Sequence, residues 1–289
     1  MQQQTVIDII EQTAPLSLMA DWDHSGIQVA SSRKDIRRLA VCLDPLPEQI
    51  ALAVQSGADM VLSHHPLAMH AQWTDSLNTF TDALRLLYAH DIPLYASHTT
   101  LDANPLGPSA WLPDELGLTE RLLLEKTGFF ASNERNIEGG FGCVGNLPQQ
   151  TPFAALLHML DKLLPGSIMR TTARLAGRVP DAVSRVAVCT GSGASLTDEA
   201  AAAGAELYIT GDVKYHDALL LLARNSKGCS NHCSMAILDV GHFSLEEEMM
   251  RRFALLLKTR LCETDVIFLP GRDPFQHVTF LSEEPEILS

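Results

Sequence analysis

The strongest constraint on the fold of this chain is an internal repeat. Residues 38–63 align without a gap on residues 185–210, at a constant offset of 147 positions. Each copy begins with an arginine and an Ala-Val-Cys segment, continues with helical spacing, and reaches Gly-Ala, an acidic residue and a second apolar run. Each copy therefore predicts a strand, a helix and a strand. If the strands are parallel, the crossover is right-handed, and Gly57 and Gly204 stand where a helix C-terminus favours glycine.

The duplication extends to residues that carry chemistry. An apolar run ends in His98, with Asp102 four residues later, and a second apolar run ends in His242, with Glu246 four residues later. These two segments are related by an offset of 144, and the three-residue difference from the first offset is an ordinary loop indel. A histidine and a carboxylate thus recur together at two predicted strand ends.

Length and composition fit this organisation. With 289 residues, 46% of them hydrophobic, the chain can bury a sizeable core. We predict an α/β fold of internally duplicated β-α-β units, with mixed sheets flanked by helices in two intertwined lobes, residues 1–125 and 126–289.

Charge and cysteine usage exclude several classes of protein. The formal net charge of −14 gives no footprint for nucleic acid, and no apolar run approaches the length of a membrane-spanning helix. The N-terminus lacks the basic and apolar regions of a secretion signal. Six cysteines without a regular framework are typical of reduced thiols. We therefore expect a cytoplasmic protein without membrane contact.

Two adjacent histidines, His64 and His65, follow the apolar run Met60–Leu62 and precede Pro66. Because proline cannot continue a strand ladder, the imidazoles are predicted at the carboxyl end of a strand, where open α/β sheets bind ligands. Consecutive residues of an extended chain point to opposite sides. We therefore expect one metal ion not to take both rings, and two adjacent ions to take one each.

The histidines and acids at the predicted strand ends indicate a metal site. Core packing explains them poorly, because an isolated buried carboxylate is strongly destabilising. Imidazole and carboxylate donors without thiolate favour Zn, Fe, Mn, Co or Ni, and bridging carboxylates suit a pair of ions. Asp102 and Glu246, related by the repeat, are the expected bridges. The candidate residues are His64, His65, His98, Asp102, His242 and Glu246.

Four segments in this order, Ser63–Pro66, Ser97–Asp102, Thr210–His216 and Gly241–Glu246, resemble the dinuclear metal centre protein family. Its members are often catalogued as GTP cyclohydrolase I type 2 homologues and include proteins like the NGG-interacting factor. The resemblance covers nearly the whole chain. It implies an α/β duplication and a homohexamer of toroidal shape, with metal sites facing an inner cavity.

The resemblance also implies two divalent transition-metal ions per chain and assigns their ligands. His98 is left as a weaker ligand or a cavity residue. The chain departs from the usual family pattern at His24, Thr100 and Leu245, and none of these departures removes a ligand. The implied metal ligands are His64, His65, Asp102, His242 and Glu246.

Two classes of function follow from such a site. The first is a metal-dependent hydrolase acting on a nucleotide or phosphoester, GTP cyclohydrolase-like by resemblance. The candidate catalytic residues are then His98, Lys214 as an anion-binding group and His216 as a general acid or base. The second class is a non-catalytic protein that stores or delivers metal or binds a partner.

Three further segments allow two interpretations each. Thr210–Asp217 fits a catalytic loop or a helix N-terminus capped by Asp212, with Lys214 in solvent. Trp22 belongs to a pocket wall or to a turn with the indole packed on the core. Thr190–Ser195 is a phosphate cradle or, as the missing lysine favours, a tight turn. Cys229–Cys233 we interpret as a loop rather than a thiolate metal site.

Overall fold

A computed structural model of the protein describes residues 1–132, 135–164, 173–226, 235–275, 277–281 and 284–288. The chain divides into two units, each assembled from three separate segments. The first unit comprises Met1–Trp111, Glu125–Phe141 and Met249–Gly271. The second unit comprises Leu112–Leu124, Gly142–Glu248 and Arg272–Ser289.

The first unit is built on a mixed sheet of five strands, in the order β1-β4-β3-β2-β11. The four strands from β4 to β11 are parallel, and β1 pairs with β4 in the antiparallel direction. The strands are β1 (Gly26–Val29), β2 (Arg38–Cys42), β3 (Met60–Ser63), β4 (Leu94–Ala96) and β11 (Asp265–Phe268).

Two helices cover one face of this sheet. Alternate residues of the strands, among them Ala40 of β2 and Val61 of β3, form an apolar cluster with Ile50 and Leu87 of the helices. The strands are buried on both faces, which is why they read as continuous apolar runs. The first four helices of the chain are α1 (Gln3–Glu11), α2 (Pro47–Gln55), α3 (Thr79–Ala89) and α4 (Thr99–Asp102).

The second sheet has six strands in the order β5-β6-β8-β9-β10-β7. Its centre, β8-β9-β10, is parallel, and β6 and β7 pair with it in the antiparallel direction. The long strands β5 and β6 contribute residues to both units. The strands are β5 (Thr119–Ser132), β6 (Arg135–Pro152), β7 (Arg174–Ala176), β8 (Ala182–Ser192), β9 (Leu207–Gly211) and β10 (Ala236–Asp239).

The remaining described elements are five α-helices, three short 3-10 helices and a separate antiparallel pair of strands. The pair is β12 (His277–Leu281) with β13 (Glu284–Leu288). The helices are α5 (Trp111–Glu115), α6 (Phe153–Leu163), α7 (Thr197–Ala202), α8 (Tyr215–Ser226) and α9 (His242–Arg260).

The predicted duplicated α/β fold is confirmed. Copy one folds as β2-α2-β3 and copy two as β8-α7-β9, and each helix ends at a glycine of positive φ, Gly57 at 73° and Gly204 at 80°. The initial arginine of each copy donates to a carbonyl oxygen at the end of its helix: Arg38 to Ser56, and Arg185 to Ala203 at 2.9 Å. The repeated arginine and glycine therefore terminate the helix in the same way twice.

The repeated acidic residue also has the same task in both copies. Asp59 accepts hydrogen bonds from the backbone N–H groups of Arg37 and Arg38, at 2.8 and 3.1 Å. Glu206 accepts from Ser184 and Arg185, at 2.5 and 3.3 Å. Each carboxylate thus ties the start of the second strand to the start of the first.

Two sequence expectations concern membranes and disulfides. None of the described helices is long and apolar enough to cross a membrane. No disulfide joins the cysteines within the described ranges, which are Cys42, Cys143, Cys189 and Cys262. The segment Cys229–Cys233 lies outside the described residues.

The repeated acids lead to a paired stability prediction. Asp59→Ala and Glu206→Ala should each lower the free energy of unfolding by about 1–3 kcal/mol, because hydrogen bonds to a charged group are lost and backbone donors are left unsatisfied. Urea denaturation measures the change. Replacing the exposed Asp75 by alanine is the control and should change stability by less than about 0.5 kcal/mol. Losses no larger than that of the control would contradict the shared role.

Candidate metal centre

The adjacent histidines lie at the carboxyl end of β3, as predicted, but they do not point to opposite sides. The strand ends at Ser63, and the hydroxyl of Ser63 donates to the carbonyl oxygen of His65 at 2.7 Å, which closes a bend. The ring centroids of His64 and His65 are 5.0 Å apart. The expectation of opposite sides was wrong because side-chain alternation holds only while the chain stays extended.

Three histidines of the first unit each have their Nδ1 atom against an oxygen acceptor. An oxygen that can only accept requires the proton on Nδ1, so the lone pair of the neutral ring is on Nε2. This is the usual way in which proteins orient a metal-binding histidine. The pairs are His64 with the carbonyl oxygen of Ser97 at 2.8 Å, His65 with Asp44 at 2.7 Å, and His98 with Asp23 at 2.7 Å.

The same three imidazoles form a cluster, which we call the imidazole cluster. One nitrogen from each of His64, His65 and His98 lies within 4.8 Å of the others. The ring of His98 is 5.1 Å from that of His64 and 5.5 Å from that of His65, between centroids. Asp102 brings a carboxylate to the cluster, with its Oδ2 3.7 Å from Nε2 of His64. His64 is fully buried.

Asp23 holds His98 from within a dense network of hydrogen bonds. Its carboxylate also accepts from the hydroxyls of Thr99 at 2.6 Å and Ser25 at 2.7 Å. Burial alone would raise the pKa of Asp23, but these hydrogen bonds and that of His98 outweigh it and hold the pKa well below its usual range. The carboxylate is therefore ionised and keeps the proton of His98 on Nδ1.

The second unit carries its own imidazole and carboxylate pair. His242 begins α9, and Glu246 follows one turn later on the same helix face, with its Oε2 2.7 Å from Nε2 of the ring. Asp212 accepts from Nδ1 at 2.7 Å. Burial lowers the pKa of His242, but the hydrogen bonds and charges of Glu246 and Asp212 outweigh it and raise the pKa to about 9. Without metal, the ring is an imidazolium between two carboxylates.

Glycines make room for this pair. Gly191, at φ 65°, has no side chain where a Cβ would overlap Oε1 of the Glu246 carboxylate. A Cβ at Gly211 would lie 2.6 Å from the backbone nitrogen of His242. Gly211 is therefore required for the start of α9 to lie against the end of β9, and Gly191 for the Glu246 carboxylate to lie against the end of β8.

The segment around Lys214 matches the helix N-terminus interpretation in part: a helix begins here and Lys214 is exposed, but the predicted cap by Asp212 is wrong. Helix α8 begins at Tyr215, and Asp212, at φ 55°, binds His242 instead of capping the helix. Asp217 accepts from the backbone nitrogen of Lys214 at 3.2 Å. The side chains of Lys214 and His216 are exposed, and the His216 ring packs edge-on against Tyr215. Their catalytic roles stay predictions.

Two other interpretations are resolved by the structure. Trp22 precedes β1 in a turn, but it is 62% exposed and not packed on the core. Thr190–Ser195 forms the end of β8 and a turn. The backbone N–H of Gly193 donates to the hydroxyl of Thr210 at 3.0 Å, so this group is used within the fold and not directed at a phosphate.

The residues that sequence reasoning missed are the carboxylates that orient the rings: Asp23, Asp44 and Asp212. Asp44 follows β2 at the same sheet edge as the histidines, which is the one signal that could have found it. Asp23 lies 75 positions from His98, and Asp212 lies 30 positions from His242. No spacing rule relates residues at such distances.

The donor sets of both units fit a divalent transition-metal ion. They consist of imidazole nitrogens and carboxylate oxygens without thiolate, with Glu246 buried and Asp102 half-buried, which is the chemistry that Zn, Fe, Mn, Co and Ni share. The Nδ1 hydrogen bonds supply the outer contacts that such ligands need. The structure therefore supports metal-binding groups, of the kind predicted, on a duplicated α/β scaffold.

The family follows from comparison with known proteins. A family model described as Duf34/NIF3 (NGG1p interacting factor 3) matches residues 1–274, and the chain belongs to this family. A relative from Clostridium perfringens, named GTP cyclohydrolase 1 type 2 homolog, is 29% identical over 279 residues, or 94% of this chain and 98% of the relative. A protein of the same name from Halobacterium salinarum is 34% identical over 207 residues, or 69% of this chain and 76% of the relative.

Solved structures confirm the fold. A Bacillus cereus protein related to NIF3 has a TM-score of 0.79 at 19% identity, covering 97% of this chain and 99% of that chain. Reduced HcgD from Methanocaldococcus jannaschii has a TM-score of 0.75 at 25% identity, covering 93% and 98%.

Gly191 provides a test of the second donor pair. In Gly191→Ala the new methyl group overlaps the Glu246 carboxylate, so we expect Glu246 to be displaced and zinc affinity to fall by about 10- to 100-fold, as for other changes that misplace ligands. Isothermal titration with zinc measures this. Gly204→Ala is the matched control, because it has a similar positive φ but its new methyl group would make only ordinary van der Waals contacts with Arg185, and it should lose stability without losing zinc affinity. Equal zinc affinities in both variants would contradict the prediction.

Proposed function

We propose that this protein binds two divalent transition-metal ions and uses them to hydrolyse a nucleotide or another phosphoester. The observation that carries the proposal is the imidazole cluster, in which three buried or half-buried rings have their Nδ1 atoms fixed by oxygen acceptors and their donor atoms within 4.8 Å of one another. Metal-binding histidines are oriented in this way, and core packing alone does not explain three such rings with their donor atoms turned toward one another.

The ligand set that we propose is the one implied by the family resemblance. In the first unit, the Asp44 carboxylate orients His65, and the Ser97 carbonyl oxygen orients His64. In the second unit, Asp212 orients His242 in the same way, beside the Glu246 carboxylate. The proposed ligands are His64, His65, Asp102, His242 and Glu246.

When bound, a pair of divalent ions polarises a substrate oxygen and makes water nucleophilic near neutral pH. The side chains of the chain supply the remaining tasks. His98, with its proton held on Nδ1 by Asp23, presents the Nε2 lone pair and can accept a proton there. Lys214 offers an exposed positive charge for a phosphate group, and the exposed His216 can exchange protons with solvent.

The substrate class rests on the names of relatives and on the donor chemistry. Relatives carry the name GTP cyclohydrolase 1 type 2 homolog, which points to a nucleotide. Ring opening of a purine and hydrolysis of a phosphoester both need an activated water, so both reactions fit the proposed site. The hexamer implied by the resemblance is part of the same proposal.

Metal content tests the binding step. After loading with zinc, manganese or iron and removal of excess metal, we expect about two ions per chain, as a dinuclear site requires. His65→Ala should hold about one ion or fewer, because it removes a ligand. His90→Ala, which changes an exposed histidine, should retain the wild-type content. Elemental analysis of the three proteins gives the answer, and one ion or none in the wild type would contradict the dinuclear site.

Turnover tests the catalytic step. Metal-loaded protein should hydrolyse at least one member of a panel of nucleoside triphosphates, nucleoside monophosphates and nitrophenyl phosphate esters, and chelation should abolish the activity. His64→Ala should lower the rate by at least about 100-fold, in the range found when a catalytic contact is removed, while His90→Ala should not. Stoichiometric metal without turnover on any substrate would instead favour a metal-binding protein without catalysis.

A further inference from the structure

Trp22 is an exposed aromatic residue at the edge of the imidazole cluster. It is 62% exposed, although the next residue, Asp23, is buried and orients His98. Exposure alone assigns it no role, because several other large apolar side chains of this chain are exposed as well. What distinguishes Trp22 is its contact with His98 at the candidate site, where the two ring centroids are 5.7 Å apart.

The turn that carries Trp22 is firmly held. The backbone nitrogen of Asp23 donates to the carbonyl oxygen of Ala20 at 2.9 Å, and the backbone nitrogen of Ala20 donates to the hydroxyl of Thr99 at 3.1 Å. The Asp23 carboxylate adds its hydrogen bonds to Ser25, His98 and Thr99. A ring presented by such a turn loses little backbone entropy when it binds a ligand.

The ring geometry leaves room for stacking. The planes of Trp22 and His98 meet at 75°, so the contact is made by the edge of one ring. Whichever ring supplies the edge, His98 leaves at least one face of the indole uncovered. The exposed side chain of Trp22 therefore offers a free aromatic face in direct contact with His98. The ring of His98 lies 5.1 Å from that of His64, between centroids.

We propose that Trp22 binds the planar aromatic ring of the substrate by stacking, and so selects nucleotides over phosphoesters that lack a ring. The inference rests on the proposed function and gives it a substrate class. Every nucleobase has a π-face that an indole can cover, whereas a sugar phosphate offers none. Trp22 is therefore a binding residue, and the His98 ring that it contacts lies 5.1 Å from the ring of His64, one of the proposed metal ligands, between centroids.

The chain offers a matched control in Trp73. This residue is 84% exposed and lies in the segment 66–78 that follows the adjacent histidines. The described ring contacts join Trp22, and not Trp73, to the imidazole cluster. Removing either indole exposes little core, because both side chains are already in solvent.

The test compares GTP with ribose 5-phosphate as probes of the zinc-loaded, full-length protein by isothermal titration. We expect Trp22→Ala to weaken GTP binding by about 5- to 150-fold, the range for removal of one base-stacking side chain, and to leave ribose 5-phosphate binding unchanged. Trp22→Phe should restore most of the affinity, because it restores a ring. Trp73→Ala should bind both probes like the wild type, and all variants should keep the wild-type zinc content.

Several results would overturn the inference. These are an unchanged GTP affinity in Trp22→Ala, equal losses for both probes, or the same loss in Trp73→Ala. A smaller oligomer of Trp22→Ala in light scattering, with GTP affinity unchanged, would assign the indole to a subunit interface instead. If the wild type binds GTP and ribose 5-phosphate with equal affinity, only this inference is refuted. If the wild type binds neither probe, the nucleotide part of the proposed function is refuted as well.

Discussion

The hydrogen bonds at the Nδ1 atoms of the histidines are the interactions on which the candidate site depends. An imidazole can rotate about its side-chain bonds and can carry its proton on either nitrogen, so its presence at a strand end does not define a ligand. Hydrogen bonds to oxygen acceptors fix both the ring rotation and the position of the proton. In the first unit the acceptors are Asp44, Asp23 and the Ser97 carbonyl oxygen, and in the second unit Asp212 has this role for His242. The rest of the fold brings these acceptors to the strand ends.

The duplication accounts for the two β-α-β units, and the differences between the two copies account for their different sets of metal-binding groups. Position 64 holds a histidine in copy one and Gly211 in copy two, and the glycine is required because the backbone of His242 occupies the space. Asp102 therefore faces the ring of His64, whereas its counterpart Glu246 faces His242 itself. Two copies of one β-α-β frame thus present different donor arrangements.

The sequence predicts the scaffold well and the orientation of the site poorly, for physical reasons. The gapless alignment of the two copies predicts both β-α-β units, because the hydrophobic periodicity, the glycine that ends each helix and the acidic residue that follows it can all be read from the local sequence. The bend after Ser63 is held by the Ser63 hydroxyl and by hydrogen bonds from the backbone nitrogens of both histidines to Leu43, which no local pattern announces, so the alternation rule placed His64 and His65 wrongly. The orienting carboxylates are set by tertiary packing: Asp23 and His98 meet only because β1 pairs with β4.

The central claim is that the rings of His64, His65 and His242 bind metal through Nε2. The most direct measurement is anomalous diffraction from crystals of the zinc-loaded protein, recorded on both sides of the zinc absorption edge. The account predicts two peaks per chain, each bonded at about 2.0–2.2 Å to carboxylate oxygens and to histidine Nε2 atoms, with the Nδ1 hydrogen bonds to Asp44, Asp212 and the Ser97 carbonyl intact. Zinc bound through Nδ1, zinc at other residues, or no anomalous peak would contradict it.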